Sequence, residues 1–178
     1  AIACCLSLKI SEKKIIKTLS RISNPPGRFQ KIKYHKKNSN IIIDYAHTPD
    51  ALRKTLKSFQ TKFKKPILLF GCGGERDKGK RKDMGLIAKN YASRTYITDD
   101  NPRNEDASTI RKSIINYCPN SIEISNRKQA IKKAIKDLNR NEVLIIAGKG
   151  HEKFQIIKSK KYKFDDYEIV KSILKNEK

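Results

Sequence analysis

Four short runs gather the residue types that handle charged or phosphorylated ligands. They are Asp44-Tyr-Ala-His-Thr-Pro-Asp50, Gly71-Cys-Gly-Gly-Glu-Arg-Asp-Lys-Gly79, Asp99-Asp-Asn-Pro-Arg103 and Gly148-Lys-Gly-His-Glu152. Five of the eight glycines lie between Gly71 and Gly85, so main-chain amides there can approach an anion closely. Neither familiar phosphate loop fits. GxGxxG needs glycine where Arg76 stands, and GxxxxGK[ST] runs from Gly74 to Lys80 and then meets Arg81 in place of the hydroxyl that would ligate magnesium. Arg76, Asp77 and Lys78 favour a polar ligand over a plain glycine turn. In Asp100-Asn101-Pro102-Arg103 the proline fixes one backbone angle, and the arginine offers a planar fork suited to a carboxylate; an ordinary Asx turn is the alternative. In Gly148–Glu152 the glutamate can accept from an ammonium while a glycine amide donates to a carboxylate. Asp44 and His47 suit a ribose or an adenine edge. One histidine and one glutamate are too few donors for a metal, so no metal site is expected. Cys72 has no base partner in view and is not read as a nucleophile. No residue is assigned to covalent catalysis. Tyr34 and His35, in a lysine-rich stretch, suggest only a surface turn.

Such loops need a scaffold, and each follows an apolar run. Ile41–Ile43, Pro66–Phe70, Thr95–Thr98, Ile122–Ile124 and Val143–Ile146 read as strands, alternating with polar helical segments near 49–61, 81–91, 106–117 and 127–138. Continuous apolar strands joined by helices predict an α/β fold, a Rossmann-like, mostly parallel sheet with helices on both faces. Ligands bind such sheets at the carboxyl ends of the strands, where the four runs lie. Phe154–Ile157 and Lys160–Phe164 predict a closing hairpin before a last helix at 166–175. Residues 1–22 read as helical, with Ile10, Ile15, Ile16, Leu19 and Ile22 at helix-like intervals and Ser11 as a helix cap. Asn24-Pro25-Pro26-Gly27 then forms the boundary, which divides the chain into 1–27 and 28–178.

The 178 residues carry a formal charge of +23. That charge invites a nucleic-acid reading, but the lysines spread from Lys9 to Lys178. With 31 Lys and 25 Ile against 10 Ala, the bias looks like AT-rich codon usage. A solvated lysine surface that attracts anionic substrates is the preferred account, with no nucleic-acid partner. No apolar run approaches the roughly 18 to 20 residues of a membrane span, and no secretory signal is evident. A cytoplasmic setting with reduced thiols is expected. The only methionine is Met84 and the first residue is Ala1, which suggests a fragment of a longer protein.

Taken together, PPGRFQ at 25–30, DYAHTPDAL at 44–52, FGCGGERDKGKR at 70–81, TDDNPRNED at 98–106 and AGKGHEKFQ at 147–155 resemble the C-terminal part of a Mur ligase, of the group that adds meso-diaminopimelate. The resemblance implies an ATP-dependent amide ligase of peptidoglycan synthesis. Its reaction joins meso-diaminopimelate to UDP-MurNAc-L-Ala-D-Glu through an acyl phosphate, with Mg2+. It implies diaminopimelate contacts at Arg76, Asp100, Asn101, Pro102, Arg103, Gly148 and Glu152, with Arg103 reading a distal carboxylate that L-lysine lacks. It also implies ATP contacts at Arg28, Asp44 and His47. Residues 1–27 would end the family's central ATP-binding domain. The ATP loop, the metal-binding lysine and the uridine site would lie outside this chain, which would then be inactive alone. A monomer is expected. Another ligase of the superfamily, lysine-adding or cyanophycin-synthetase-like, is the nearest alternative, and a basic nucleic-acid-binding domain the more distant one.

Overall fold

A computed structural model describes residues 2–19, 21–61 and 64–176. Two short helices come first, α1 (Ile2–Ser7) and α2 (Glu12–Leu19). The chain then runs β1 (Gln30–Tyr34), β2 (Ser39–Asp44), α3 (Pro49–Phe59), β3 (Ile67–Phe70), α4 (Gly79–Tyr91), β4 (Arg94–Ile97), α5 (Ala107–Ile115) and β5 (Ile122–Glu123). It ends with α6 (Arg127–Lys136), β6 (Val143–Ala147), β7 (Phe154–Ile157), β8 (Lys160–Lys163) and α7 (Asp166–Asn176).

Six strands form one sheet in the order β1-β2-β6-β3-β4-β5. The pairs β2/β6, β6/β3, β3/β4 and β4/β5 are parallel, and β1 is an antiparallel edge. Successive strand residues point to opposite faces, which splits the core in two. Ile42, Leu68, Phe70, Ile97 and Ile145 pack with Leu52, Leu56, Met84, Ile87 and Ile114 from α3, α4 and α5. Ile41, Ile43, Leu69, Leu144 and Ile146 pack with Ala130, Ile131, Ile135 and Val170 from α6 and α7. Burial on both faces explains why these strands lack polar alternation, and the expected α/β architecture is the one that forms. After β5 the chain crosses to the other face through α6 and inserts β6 between β2 and β3. The carboxyl ends of β2, β6, β3 and β4 therefore open side by side. No helix of the described residues is long and apolar enough to cross a membrane.

Three local expectations change. Tyr34 is no surface residue: it is 5% exposed and belongs, with Ile32, to the core under α6, while His35 opens a 3-10 turn, His35–Lys37. The two apolar residues of QKIKY alternate with lysines that stay in water on the sheet edge, and the charge hides the strand. The helical stretch expected over residues 1–22, of which Ala1 and Ser20 lie outside the described residues, breaks in the middle: Lys9 takes a positive φ of 58°. Ser11 does precede α2, its carbonyl accepting from the amides of Lys14 and Ile15 at 3.0 and 3.1 Å. The third change is at the carboxyl ends of α3, α5 and α6, which fall at Phe59, Ile115 and Lys136, each two residues before the expected 61, 117 and 138.

Candidate functional site

The four loops line one cleft of about 410 Å³ at the carboxyl edge of the sheet. His47, Arg76, Asp100, Asn101, Arg103, Gly148 and Glu152 face it, seven of the residues expected to bind ligand. The cleft has two electrostatic poles.

The acidic pole is built on the loops after β4 and β6. Asn101 is buried, and its Oδ1 accepts from Lys149 Nζ and from the amide of Ile156, both at 2.9 Å. Its Nδ2 donates to Glu152 Oε2 at 2.9 Å, and Lys149 Nζ reaches the same oxygen at 3.0 Å. Burial raises the Glu152 carboxyl, but the Asn101 amide and the Lys149 ammonium outweigh it and hold the group below the usual glutamate range. Asp100, 8% exposed, is pushed up by burial against the pull of Lys149 and Arg127. Gly148 must be glycine here: its φ is +107°, and a Cβ would sit 2.9 Å from Asp100 Oδ2.

Arg103 and Arg76 form the basic pole. Arg103 itself has φ +53°, held by the β7–β8 hairpin: its amide donates to Ile156 O at 3.1 Å and its carbonyl accepts from Lys158 N at 2.7 Å. The guanidinium Nη1 donates to Gly74 O at 2.8 Å and to Asn101 O at 3.4 Å, which fixes the fork while Nε and Nη2 have no hydrogen-bond partner among the described residues. Arg76 is exposed, its Nη1 on Glu75 O at 3.2 Å. The glycine loop is tied to the Arg103 loop by Gly74 N on Asn101 O at 2.9 Å and by the Arg81–Glu105 ion pair at 2.9 Å. Asp77 accepts from the Gly79 amide at 2.9 Å and starts α4. Pro102 is buried behind the loop and does not line the cleft.

A rim of rings and cations closes one side. Arg28 lies over the Tyr45 ring at 4.7 Å, and that ring meets His47 at 4.5 Å and His151 at 5.0 Å between centroids. Gly27 makes the turn possible, with φ +69° and a notional Cβ only 2.1 Å from His151 N. Asp44 is not part of the rim. It is 4% exposed, and its oxygens accept from Thr55 Oγ1 at 2.8 Å and Phe29 N at 3.2 Å, so it pins the Arg28 turn to α3. Arg28 likewise stands outside the 410 Å³ cleft, beside it through Tyr45.

Sequence reasoning missed Lys149, Tyr45 and Lys80. Lys80 and Tyr45 line the cleft, and Lys80 Nζ donates to His47 O at 3.0 Å. The signal for Lys149 was its place between two glycines at the end of a fully apolar strand, where a long side chain has only the interior to enter. Cys72 is buried against Met84 and its thiol is pushed up to about 12 by burial, which removes it as a nucleophile at neutral pH.

A family model described as Mur ligase, glutamate ligase domain, matches residues 27–150. The chain belongs to the Mur ligase family. Among Mur ligases, it is 47% identical over 161 residues to a UDP-N-acetylmuramoyl-L-alanyl-D-glutamate--2,6-diaminopimelate ligase of Rickettsia bellii, covering 88% of this chain and 33% of the relative. The ligase of the same name from Anaplasma marginale is 46% identical, with 88% and 33% covered. A solved structure of a ligase of that name superposes with a TM-score of 0.78 at 32% identity, covering 99% of this chain and 37% of that one. MurC of Thermotoga maritima, at 16% identity and a TM-score of 0.63, shares the fold. The chain thus spans about a third of the length of the Mur ligases it matches. For the magnesium that the family uses, the described residues supply no group of three or more His, Cys, Asp or Glu side chains placed to hold a cation. Asp100 and Glu152 face Lys149 instead, so these residues do not fit a metal.

Proposed function

We propose that this chain is the C-terminal, amino-acid-presenting domain of an ATP-dependent ligase that adds meso-diaminopimelate to UDP-MurNAc-L-Ala-D-Glu in the cytoplasm. The observation that carries this reading is the two-pole cleft, with Arg103 and Arg76 at one end and Glu152 and Asp100 at the other. A diamino diacid has an ammonium and a carboxylate at its distal end, and the cleft offers a partner for each. Arg103 takes the distal carboxylate, with Arg76 at the more exposed lip. Glu152 takes the ammonium, and the Gly148 amide lies at the same wall. Asn101 and Pro102 shape the loop.

Held at that end, the amino acid leaves its other amine free to attack the acyl phosphate that ATP forms on the terminal carboxylate of the nucleotide-linked substrate. The amine nitrogen bonds the acyl carbon, and inorganic phosphate leaves. The domain contributes orientation, which lowers the barrier by removing rotational freedom before the attack. Arg28, Tyr45 and His47 give an exposed cationic and aromatic rim suited to a nucleotide, and Asp44 serves that rim by fixing the turn that carries Arg28. Residues 28–178 form this domain. Residues 1–27 belong to the preceding ATP-binding domain, a division supported by the exposed apolar side chains of Leu8, Ile16 and Ile22, at 74%, 66% and 63%. ATP and Mg2+ are the reaction's requirements, with the metal's ligands on that preceding domain. The enzyme is proposed to act as a monomer without a nucleic-acid partner.

The test is phosphate release by the full-length protein carrying this domain, given ATP, magnesium and UDP-MurNAc-L-Ala-D-Glu. Release that depends on meso-diaminopimelate supports the reading. Release with L-lysine instead would overturn the assignment of Arg103, and no release with either would overturn the ligase.

A further inference from the structure

Lys149 is fully buried, an unusual position for an ammonium, which is costly to desolvate unless fixed partners compensate. It is held there by backbone shape: it follows the apolar β6 and stands between Gly148 and Gly150, with φ of +107° and +54°. Its Nζ lies 2.9 Å from Asn101 Oδ1 and 3.0 Å from Glu152 Oε2.

Two consequences follow for the acidic pole. Asp100 and Glu152 face the same cleft, and the Glu152 carboxylate raises the Asp100 carboxyl by repulsion. With both carboxyls ionised, Lys149 offsets one of the two negative charges and the Arg127–Asp166 pair beside them adds none, so the pole keeps a net single charge, matched to one ammonium. The second consequence is directional. Because Asn101 Oδ1 is occupied by the ammonium and by the Ile156 amide, its Nδ2 must turn to Glu152 Oε2. Oε2 is then taken by two donors. Glu152 Oε1 and the Asp100 carboxylate have no hydrogen-bond partner among the described residues, and both residues line the cleft.

We propose that Lys149 is a positioning residue for the incoming amino acid: it sets the charge of the ammonium-binding pole and orients Asn101 so that Glu152 keeps one oxygen for the substrate. Lys149 does not touch the substrate in this arrangement. It acts through Asn101 and Glu152. The inference rests on the ligase reading above and deepens it.

The experiment compares the full-length protein with Lys149→Met and Lys149→Gln, following phosphate release with ATP and meso-diaminopimelate across pH. Met keeps the length of the side chain without charge or donor; Gln keeps a donor without the charge. Lys149→Met is expected to raise KM for diaminopimelate about tenfold or more, the scale for losing hydrogen bonds to a charged group. The value of kcat should change far less, and KM for ATP should stay the same. In both variants the acid limb of kcat/KM should move to higher pH. Asp100 then faces Glu152 and Asp166 with only Arg127 to favour its charge, and Glu152 keeps only the Asn101 amide and Arg103. Gln should recover part of the KM and a smaller part of the pH shift, because its donor can still bond Glu152 while the charge is gone.

A merely structural lysine would instead lower kcat and ATP use together and leave the acid limb in place, which would overturn the proposal. Unchanged KM and pH profile, beside diaminopimelate-dependent release by the unaltered protein, would overturn it and leave the ligase standing. No release by the unaltered protein would overturn both. Failure of both variants to fold would also count against it, because a purely structural ammonium explains that result.

Discussion

Arg103→Ala is the sharpest test of the two-pole cleft. The guanidinium is half-buried, anchored through Nη1 at 2.8 Å to Gly74 O and more loosely, at 3.4 Å, to Asn101 O. An anchored fork has lost its rotamer freedom before the ligand arrives, so a carboxylate that meets it gains most of the charge-assisted bond energy. Truncating one partner of a buried charged pair costs about 2 to 5 kcal/mol. The cleft is open to water on one side, which screens the pair and places the expected loss near the lower end. At about 1.4 kcal/mol per factor of ten, 2 kcal/mol is roughly a 30-fold fall in kcat/KM for meso-diaminopimelate. The assay is phosphate release by the full-length protein, with KM for ATP measured alongside. Arg103→Lys keeps the charge and loses the fork, and should recover only part of the activity. If ATP use falls in step with diaminopimelate use, Arg103 acts by holding the Gly74 loop. If kcat/KM for diaminopimelate is unchanged, the carboxylate reading is wrong.

Other expectations concern the frame around the cleft. Asp166→Asn should destabilise this chain by about 3 to 5 kcal/mol in urea unfolding, because Arg127 and Asp166 are both fully buried and the loss leaves Arg127 uncompensated. Arg127→Met combined with Asp166→Leu should recover most of that loss, and a single mutant within the error of the parent would refute the argument. Gly148→Ala forces a side chain into a left-handed backbone and against Asp100; a loss of roughly 1 to 3 kcal/mol is expected, with weaker use of diaminopimelate in the full-length protein. The pH dependence of Glu152 has a definite sign. Its native carboxyl is held below the unfolded value of about 4.3, so its contribution is present above that pH and lost as the pH falls through the lowered native pKa. The stability difference between the parent and Glu152→Gln should therefore be constant near neutrality and change only below about pH 5, and a difference independent of pH would contradict it.

The sheet was legible because its central strands are buried on both faces and so read as unbroken apolar runs, Ile67–Phe70 and Val143–Ala147 above all. β1 was not, since an edge strand needs only Ile32 and Tyr34 inside and carries lysines elsewhere. The site divides along similar lines. Loops that follow apolar strands announce Arg103, Glu152 and Gly148 by residue type and position. The different jobs of Asp44 and His47 do not show in the motif that contains both: one carboxylate turns inward to Thr55 and Phe29, the ring turns out to the rim, and only tertiary packing decides which. Lys149 was hidden for the opposite reason. Lysine is so common here, and so commonly solvated, that composition argues against Lys149, the one buried lysine among the described residues.

The β7–β8 hairpin gives the cleft a boundary different from that of the sheet. All six strands of the large sheet, and the glycine-lysine-glycine turn, are complete by residue 150, where the family match also stops. The main-chain groups that clamp Arg103 and Asn101 come from Ile156 and Lys158, and the carboxylate that Lys149 holds comes from Glu152. A piece cut at residue 150 would keep every sheet strand and lose Glu152 together with the clamp. If the proposed reading of the cleft holds, domain swaps between ligases that aim to exchange amino-acid preference should carry the hairpin with the Arg103 loop, because the two are one hydrogen-bonded unit split across the chain.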